Sequence, residues 1–470
     1  MKTVFRGALC GAMLFALHQA GTITGLTAQA LKQFTPYSDA QPIFDALRSD
    51  LLPAELRDAQ TRESSWPAWV RQHDAAVRAR VAAGDEDSII HLLLFGTSFT
   101  KAPRASERDL AALVTTPEAA LRTLAPRIED FAAAVTTPGT NERLRFARRV
   151  VEGKGIDPRI DSGKAALRRY LEDRTRIVGG SVQSSRLLNP ATDLSEMLTL
   201  FRERGLSSDT SVFIDFGVEQ ALDAMKAAGA LRTGSVRRVA LVGPGLDFAD
   251  KLDGYDFYPE QTIQPFALID SLVRLDLADA AGLSVTAFDV SPRVVQHLDD
   301  ARARARAASR YSVALPRNTD RPWSAELVDY WQRFGNWIGE PVEKQPAPPA
   351  SAGAVNVRTV SIRPDVVLAV TPVDLNIITE RFEESGSAPF DLVVATNILL
   401  YYDVFEQSLA AGNIARMLKP GGFLLTNNRI FELPGSPLSG VGFTDVLYMS
   451  LPGIGDTGDR VVWYQKQPSI

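Results

Sequence analysis

The chain is poor in sulfur and in histidine. Its one cysteine, Cys10, falls in a leader-like N-terminal stretch, and four histidines are spread over 470 residues. Past residue 30 there is no thiol to pair or to ligate a metal, which excludes a disulfide framework and a cysteine-ligated centre. His73, His91 and His297 stand far apart, so a histidine-rich metal site lacks ligands. No GxSxG elbow accompanies them, and a serine hydrolase would lack both nucleophile and base. The chain also has no basic excess: 51 Lys and Arg against 56 Asp and Glu give a net charge of −5. No nucleic-acid partner is expected from that balance. The run Arg302, Arg304, Arg306 and Arg310 reads as the solvated face of a helix. No apolar run beyond the leader approaches membrane-spanning length, so no transmembrane anchor is expected after it.

The first 30 residues differ from the rest. Lys2 and Arg6 precede an apolar run from Ala8 to Leu17, and Ala28, Gln29 and Ala30 form a small-x-small cleavage signature. Residues 1–30 therefore read as a signal peptide, with the remainder periplasmic or secreted. If the leader is not used, the location is cytoplasmic.

At 470 residues with 45% hydrophobic content, the chain is long enough for two domains with sizeable cores. From residue 31 to about 210, apolar residues recur at three- and four-residue spacing, most clearly over Trp66–Val81, Pro117–Val135, Asn141–Val151 and Asp193–Arg204. This half is expected to be an all-helical domain. Asp85, Glu86 and Asp87 read as acids in the first turn of a helix beginning near Ile89, not as metal ligands.

From 211 to 470 short apolar runs alternate with helical patterns. Arg237–Val242, Ser284–Phe288, Val366–Val370, Phe390–Ala395 and Gly422–Thr426 predict parallel strands with helices on both faces. Thr444–Ser450 and Arg460–Gln465, joined through Pro452, Gly453 and Gly455, predict a closing antiparallel hairpin. A Pro- and Ala-rich insertion at about 341–356 reads as a loop. Trp323, Tyr330, Trp331, Phe334 and Trp337, just before it, recur at near-helical spacing and predict packing more than a lid.

The feature closest to chemistry is the end of the first run, where Gly243, Pro244 and Gly245 follow a buried strand. Glycines there let a backbone approach a ligand closely and adopt positive φ. The second run ends in Asp289, whose carboxylate can accept hydrogen bonds from both hydroxyls of a ribose. The pair points to a nucleoside-containing cofactor at the carboxyl edge of an α/β sheet. The turn is not the full GxGxxG of a hydride-transferring dehydrogenase.

Five strands, a closing hairpin and a glycine turn resemble the class I S-adenosylmethionine-dependent methyltransferases over about Arg237–Gln465. The most specific part is the block FDLVVATN, starting at Phe390, followed by ILLYYD and then by LKPGGF from Leu418 to Phe423. The resemblance implies a Rossmann-like, mostly parallel seven-stranded sheet with S-adenosyl-L-methionine as cofactor. It implies that Gly243, Pro244 and Gly245 lie beneath the methionine and ribose portions, that Asp289 binds the ribose and that Val290 lies against the adenine. It places Asp374 at the adenine amine and Asn397 beside the transferred methyl group. Asn397, Tyr401, Tyr402 and Asp403 would then lie on the side of a small-molecule or protein acceptor.

Two positions depart from the family pattern. Leu241 stands where an acid is usual, and Asp247 stands at the third glycine. Either Asp247 contacts the cofactor's amino group in place of the missing acid, or cofactor binding has been lost and the chain is an exported, non-catalytic binding or scaffold protein. The segment NILLYYD is also similar to the chemotaxis-receptor glutamate methyltransferases. There, however, an arginine precedes the asparagine where this chain has Thr396, and the helical half here is much longer.

Overall fold

The computed structural model describes residues 30–187, 205–208, 211–246, 253–384, 389–451 and 455–468. The leader-like residues before Ala30, the helical segment expected at Asp193–Arg204 and the cofactor candidate Asp247 lie outside the described residues.

The strands are β1 Ala30–Phe34, β2 Arg238–Val242, β3 Ser284–Asp289, β4 Tyr311–Asn318, β5 Gly339–Pro341 and β6 Val355–Ile362. They continue with β7 Val370–Asp374, β8 Glu380–Glu384, β9 Phe390–Val394, β10 Leu418–Thr426, β11 Leu438–Leu451 and β12 Gly455–Lys466. A seven-stranded sheet runs β11-β12-β10-β9-β2-β3-β7. β10, β9, β2, β3 and β7 are mutually parallel, and β12 and β11 close the sheet antiparallel. This is the expected mostly parallel sheet with an antiparallel C-terminal hairpin.

Val239 to Val242 of β2 are all buried, and their side chains alternate between two cores with the two-residue period of a strand. Val239 and Leu241 face one core, which holds the helices α7 (Val212–Ala227) and α8 (Gln264–Arg274). Ala240 and Val242 face the other, which holds α1 (Tyr37–Ala46), the first half of α2 (Arg62–Phe95) and α12 (Val404–Met417). Helices α9 (Pro292–Arg306), α10 (Ala325–Arg333) and α11 (Pro364–Ala369) complete the α/β half.

The N-terminal half is not wholly helical. Ala30–Phe34 pairs antiparallel with Glu380–Glu384 in a two-stranded sheet. Nor do the acids Asp85–Asp87 open a helix: α2 runs unbroken over 34 residues and carries them in its middle. Its first half, with Trp66, Trp69, Val70 and Val77, packs on the sheet. Its second half, Ile89–Phe95, packs with α3 (Glu107–Thr115), α4 (Pro117–Thr136), α5 (Glu142–Gly153) and α6 (Asp161–Leu187) in a separate helical core. One helix thus belongs to both halves. Gly84, in its middle, is not a breaker; a Cβ there would fall 1.8 Å from the Leu206 carbonyl oxygen.

Two further expectations change. The third parallel strand is Val370–Asp374, four residues beyond the start of the expected Val366–Val370, whose place is largely taken by α11. The Pro- and Ala-rich insertion lies between strands of a small sheet ordered β4-β6-β5. The aromatic stripe before it does pack: Trp323, Tyr330, Trp331 and Phe334 are buried in the α7/α8 core, and Trp337 is partly exposed. Of the arginine run, Arg304, Arg306 and Arg310 are exposed, whereas the half-buried Arg302 donates to the Leu368 carbonyl at 2.7 Å and to that of Val370.

The polar stretch after the glycine turn is a strap. The Asp256 carboxylate accepts from the Thr97 backbone N–H at 2.6 Å and from the Thr97 and Ser98 hydroxyls. Arg143 donates to the carbonyls of Asp256 and Tyr258. The helical half is thereby fastened beside the sheet's carboxyl edge.

Candidate functional site

Chain order reverses across the sheet beside β2: the chain goes from β2 out to β3 and β7, then returns to β9 and β10 on the other side. The loops leaving β2 and β9 diverge at that switch point, where open α/β sheets bind ligands. A cavity lies there, lined by Gly243, Gly245, Asp289, Val290, Asn397, Tyr401 and Tyr402. Of the residues expected at the site, these seven are brought together; Pro244 is buried between the two glycines of the turn.

The turn after β2 needs its glycines. Gly243 and Gly245 have φ of 69° and 65°, in the left-handed region that a side chain disfavours. A Cβ on Gly243 would also lie 2.1 Å from Ile398 Cδ1, in the loop leaving β9. The Gly243 N–H donates to the Phe288 carbonyl at 2.8 Å, which ties the turn to the end of β3.

Asp289 ends β3 beside this turn. The Ser291 N–H donates to its Oδ1 at 2.8 Å. Burial pushes its carboxyl up to about 6, the N–H groups of Ser291, Gly245 and Val290 pull against that rise, and the nearby Asp374 adds to it. Among the described residues lining the cavity, Asp289 carries the one carboxylate. A carboxylate offers about four lone-pair sites, so acceptor capacity remains beside these donors for a pair of hydroxyls.

Asp374 is the register partner of Asp289 on β7, but it is not among the residues lining the cavity. Arg78 of α2 donates to it at 2.5 Å and Lys32 lies 3.7 Å away, so its half-exposed carboxyl is drawn toward α2 and β1. The carboxyl expected at an adenine amine is thus engaged by α2 and β1 and does not line the cavity. Asp403, expected on the acceptor side, does not line the cavity: it caps α12, its side chain accepting from the Glu406 N–H at 2.9 Å while Glu406 accepts in return. Leu241 is fully buried in the α7/α8 core.

Asn397 follows β9 with φ of 57°, uncommon for a residue with a side chain. Its backbone N–H donates to Asn427 Oδ1 at 2.8 Å, and Asn427 Nδ2 donates back to Asn397 Oδ1 at 2.7 Å. Tyr401 is half-buried, whereas Tyr402 is packed into the core, where burial raises its hydroxyl pKa. Arg80 holds both: it donates to the Tyr401 carbonyl at 2.7 Å and lies over the Tyr402 ring at 5.4 Å.

Sequence reasoning missed the far wall. Val81 of α2 and the residues Leu206, Ser207, Ser208 and Ser211 line the cavity opposite the sheet. Leu206 donates its N–H to the Arg80 carbonyl at 3.0 Å, and Leu246 donates to the Ser208 carbonyl at 2.6 Å. Gln264 at the start of α8 donates to the Thr396 hydroxyl at 2.7 Å, closing the wall between the two loops. The small residues Gly84 and Gly205 were the available signal, since they allow this close approach to α2.

The FD and LKPGG portions of the block that carries the resemblance serve the other end of the sheet. Asp391 accepts from the N–H groups of Arg237 and Arg238 at 2.7 and 2.9 Å and pairs with Lys419. Burial pushes that carboxyl up, but these donors outweigh it and hold it below the usual range. It pins the starts of β2, β9 and β10 together. Among the described residues no group of three or more His, Cys, Asp or Glu is placed to hold a metal, and no helix is long and apolar enough to cross a membrane.

No family model matches the chain, and no curated protein matches it. Among solved structures it is similar to the N-methyltransferase NodS from Bradyrhizobium japonicum, at 14% identity over 54% of this chain and 97% of that chain, with a TM-score of 0.24. It is also similar to magnesium protoporphyrin IX methyltransferase from Synechocystis with bound S-adenosylmethionine, at 12% identity over 60% and 100% of the two chains, TM-score 0.24. A third is the glycopeptide N-methyltransferase MtfA complexed with S-adenosylmethionine, at 14% identity over 54% and 94%, TM-score 0.23. At these scores the likeness adds nothing to what the strand order and the cavity supply.

Proposed function

We propose that this chain is an S-adenosylmethionine-dependent methyltransferase whose cofactor sits in the cavity at the β2/β9 switch point. The observation that carries the reading is the meeting of the left-handed turn Gly243–Gly245 with the Asp289 carboxyl in that cavity. A turn without side chains lets the backbone lie against the cofactor, and an acid at the end of the next strand accepts from its ribose hydroxyls.

The bound cofactor would supply an electrophilic methyl group on a sulfonium. The protein's part is then to bind, orient and exclude water. Gly243 and Gly245 give close backbone approach, Val290 and Leu375 offer apolar surface on the Asp289 side, and Asn397 and Tyr401 face the acceptor side. Val81 and Leu206–Ser208 cover the cavity from the α2 side. Holding the acceptor in line and close to the methyl accounts for most of the rate that such a site can supply.

The acceptor is a small molecule or a protein. Thr396 is buried and hydrogen-bonded to Gln264 where the receptor-glutamate enzymes have an arginine, which argues against a receptor glutamate. Photolabelling with methyl-tritiated S-adenosylmethionine tests the reading. Label competed by S-adenosylhomocysteine and mapped to peptides carrying the β2 or β9 loop supports it; label that excess S-adenosylhomocysteine does not displace would refute it.

A second reading, an exported binding or scaffold module with this fold, is favoured by Leu241. Its burial beneath the sheet means that β2 itself presents no acid to the cofactor's amino group. Export is proposed from the leader-like residues 1–30 alone.

A further inference from the structure

We propose that Asn427 is a positioning residue that turns the amide NH2 of Asn397 into the cavity, so that the ligand group held there is a hydrogen-bond acceptor and not an ammonium. The inference rests on the methyltransferase reading for the identity of the ligand. Its geometry rests on one unambiguous donor. A backbone N–H can only donate, and that of Asn397 donates to the Asn427 side chain at 2.8 Å, so the Asn427 atom facing it is the oxygen. The other end of the Asn427 amide is then its NH2, which in turn can only donate.

That NH2 reaches two acceptors, Asn397 Oδ1 at 2.7 Å and Asp459 Oδ2 at 3.3 Å. With its oxygen occupied, Asn397 has its own NH2 left for the cavity that it lines. Asp459 Oδ2 also accepts from the Tyr448 hydroxyl at 3.1 Å, which holds the carboxylate in place. The chain of contacts runs from the loop after β9, through the residue after β10, to β12 and β11. It crosses four neighbouring strands at the sheet edge that carries the cavity. It also secures Asn397 at a φ of 57°, a conformation that needs support from its surroundings.

The consequence is a donor placed on the acceptor side of the proposed site. A carbonyl, carboxylate or neutral amine with a free lone pair fits such a donor, whereas a protonated amine does not. Sinefungin and S-adenosylhomocysteine distinguish the two cases, because sinefungin carries an ammonium group where the sulfur bears the transferable methyl. In Asn427→Asp the side chain still accepts from the Asn397 N–H but has no donor, so the Asn397 amide turns over and presents its oxygen.

The experiment is calorimetric titration of both ligands into the wild-type chain, Asn427→Asp, Asn397→Ala and the double variant. The expected result is a shift of about tenfold in relative affinity toward sinefungin in Asn427→Asp, which disappears when Asn397 is already alanine. An unchanged ratio, or a shift that persists in the Asn397→Ala background, overturns the proposal. Should Asn427→Asp fail to fold, Asn427→Ala replaces it: by freeing the Asn397 amide it moves the ratio the same way, and no movement again overturns the proposal. Wild-type protein that binds neither ligand overturns the methyltransferase reading, and this inference with it.

Discussion

Asp289 and Asp374 are register partners at the ends of adjacent parallel strands, yet one carboxyl reaches the cavity and the other is drawn away by Arg78. Their separation of roles follows from what each strand end meets. β3 is flanked on both sides and delivers Asp289 beside the glycine turn. β7 is the sheet's edge, and Asp374 meets the cations of α2 and β1.

The raised carboxyl of Asp289 predicts opposite effects on stability and binding. Its folded pKa, about 6, lies above the ordinary 3.8, so ionising it costs the folded state more than the unfolded one. That penalty is absent below pH 4 and fully present above pH 6. Asp289→Asn is therefore expected to raise the melting temperature at pH 8 and to lose that gain as the pH approaches 4. Affinity for S-adenosylhomocysteine in the wild type is expected to fall below pH 6, by up to about tenfold per unit, as the acceptor carboxylate takes up a proton. Thermal melts and titrations across pH 4–8 check both.

Gly243→Ala places a Cβ 2.1 Å from Ile398 Cδ1 at a φ of 69°. The ethyl end of Ile398 can yield, so the expected loss of stability is modest, about 1–2 kcal/mol. The displaced Ile398 lines the cavity, and affinity for S-adenosylhomocysteine is expected to fall at least about tenfold. Denaturant titration and calorimetry separate the two effects.

Gly84→Ala is expected to cost more. Its Cβ would fall 1.8 Å from a backbone oxygen, that of Leu206, and backbone cannot rotate away as a side chain does. A loss of about 2–3 kcal/mol is expected, with reduced ligand affinity because Leu206, Ser207 and Ser208 form the cavity wall. Unchanged affinity in a destabilised Gly84→Ala would show that this wall does not contact the ligand.

A fusion of residues 1–35 to a reporter active only in the periplasm is expected to be active if the leader is used. An inactive fusion would withdraw the proposal of export and favour the enzyme over the exported scaffold.

The sequence exposed most of the large sheet because β2, β3, β9 and β10 are apolar runs buried on both faces, the pattern of central parallel strands. β7 escaped because an edge strand need not be apolar: TPVD is half-buried and tolerates Pro372. β1 and β8 are short, charged and paired across 350 residues, as Ala30 with Glu384 and Phe34 with Glu380, so no local pattern marks them. The middle of α2 resembled a boundary because Gly84 is usually a breaker; its real constraint is the Leu206 backbone. At the site, Gly243, Gly245 and Asp289 were legible because turn and strand-end chemistry is local. Gln264 and Leu206–Ser208 at the cavity wall, and Asn427 behind Asn397, were not, since their placement depends on which loops the topology brings together.

The central claim is that the glycine turn and Asp289 form an S-adenosylmethionine site, and equilibrium dialysis of the radiolabelled cofactor against wild type and Asp289→Ala tests it most directly. Saturable binding of one cofactor per chain, weakened at least about tenfold in the variant, is the predicted result. No binding to the wild type, or binding that Asp289→Ala leaves unchanged, would contradict the account.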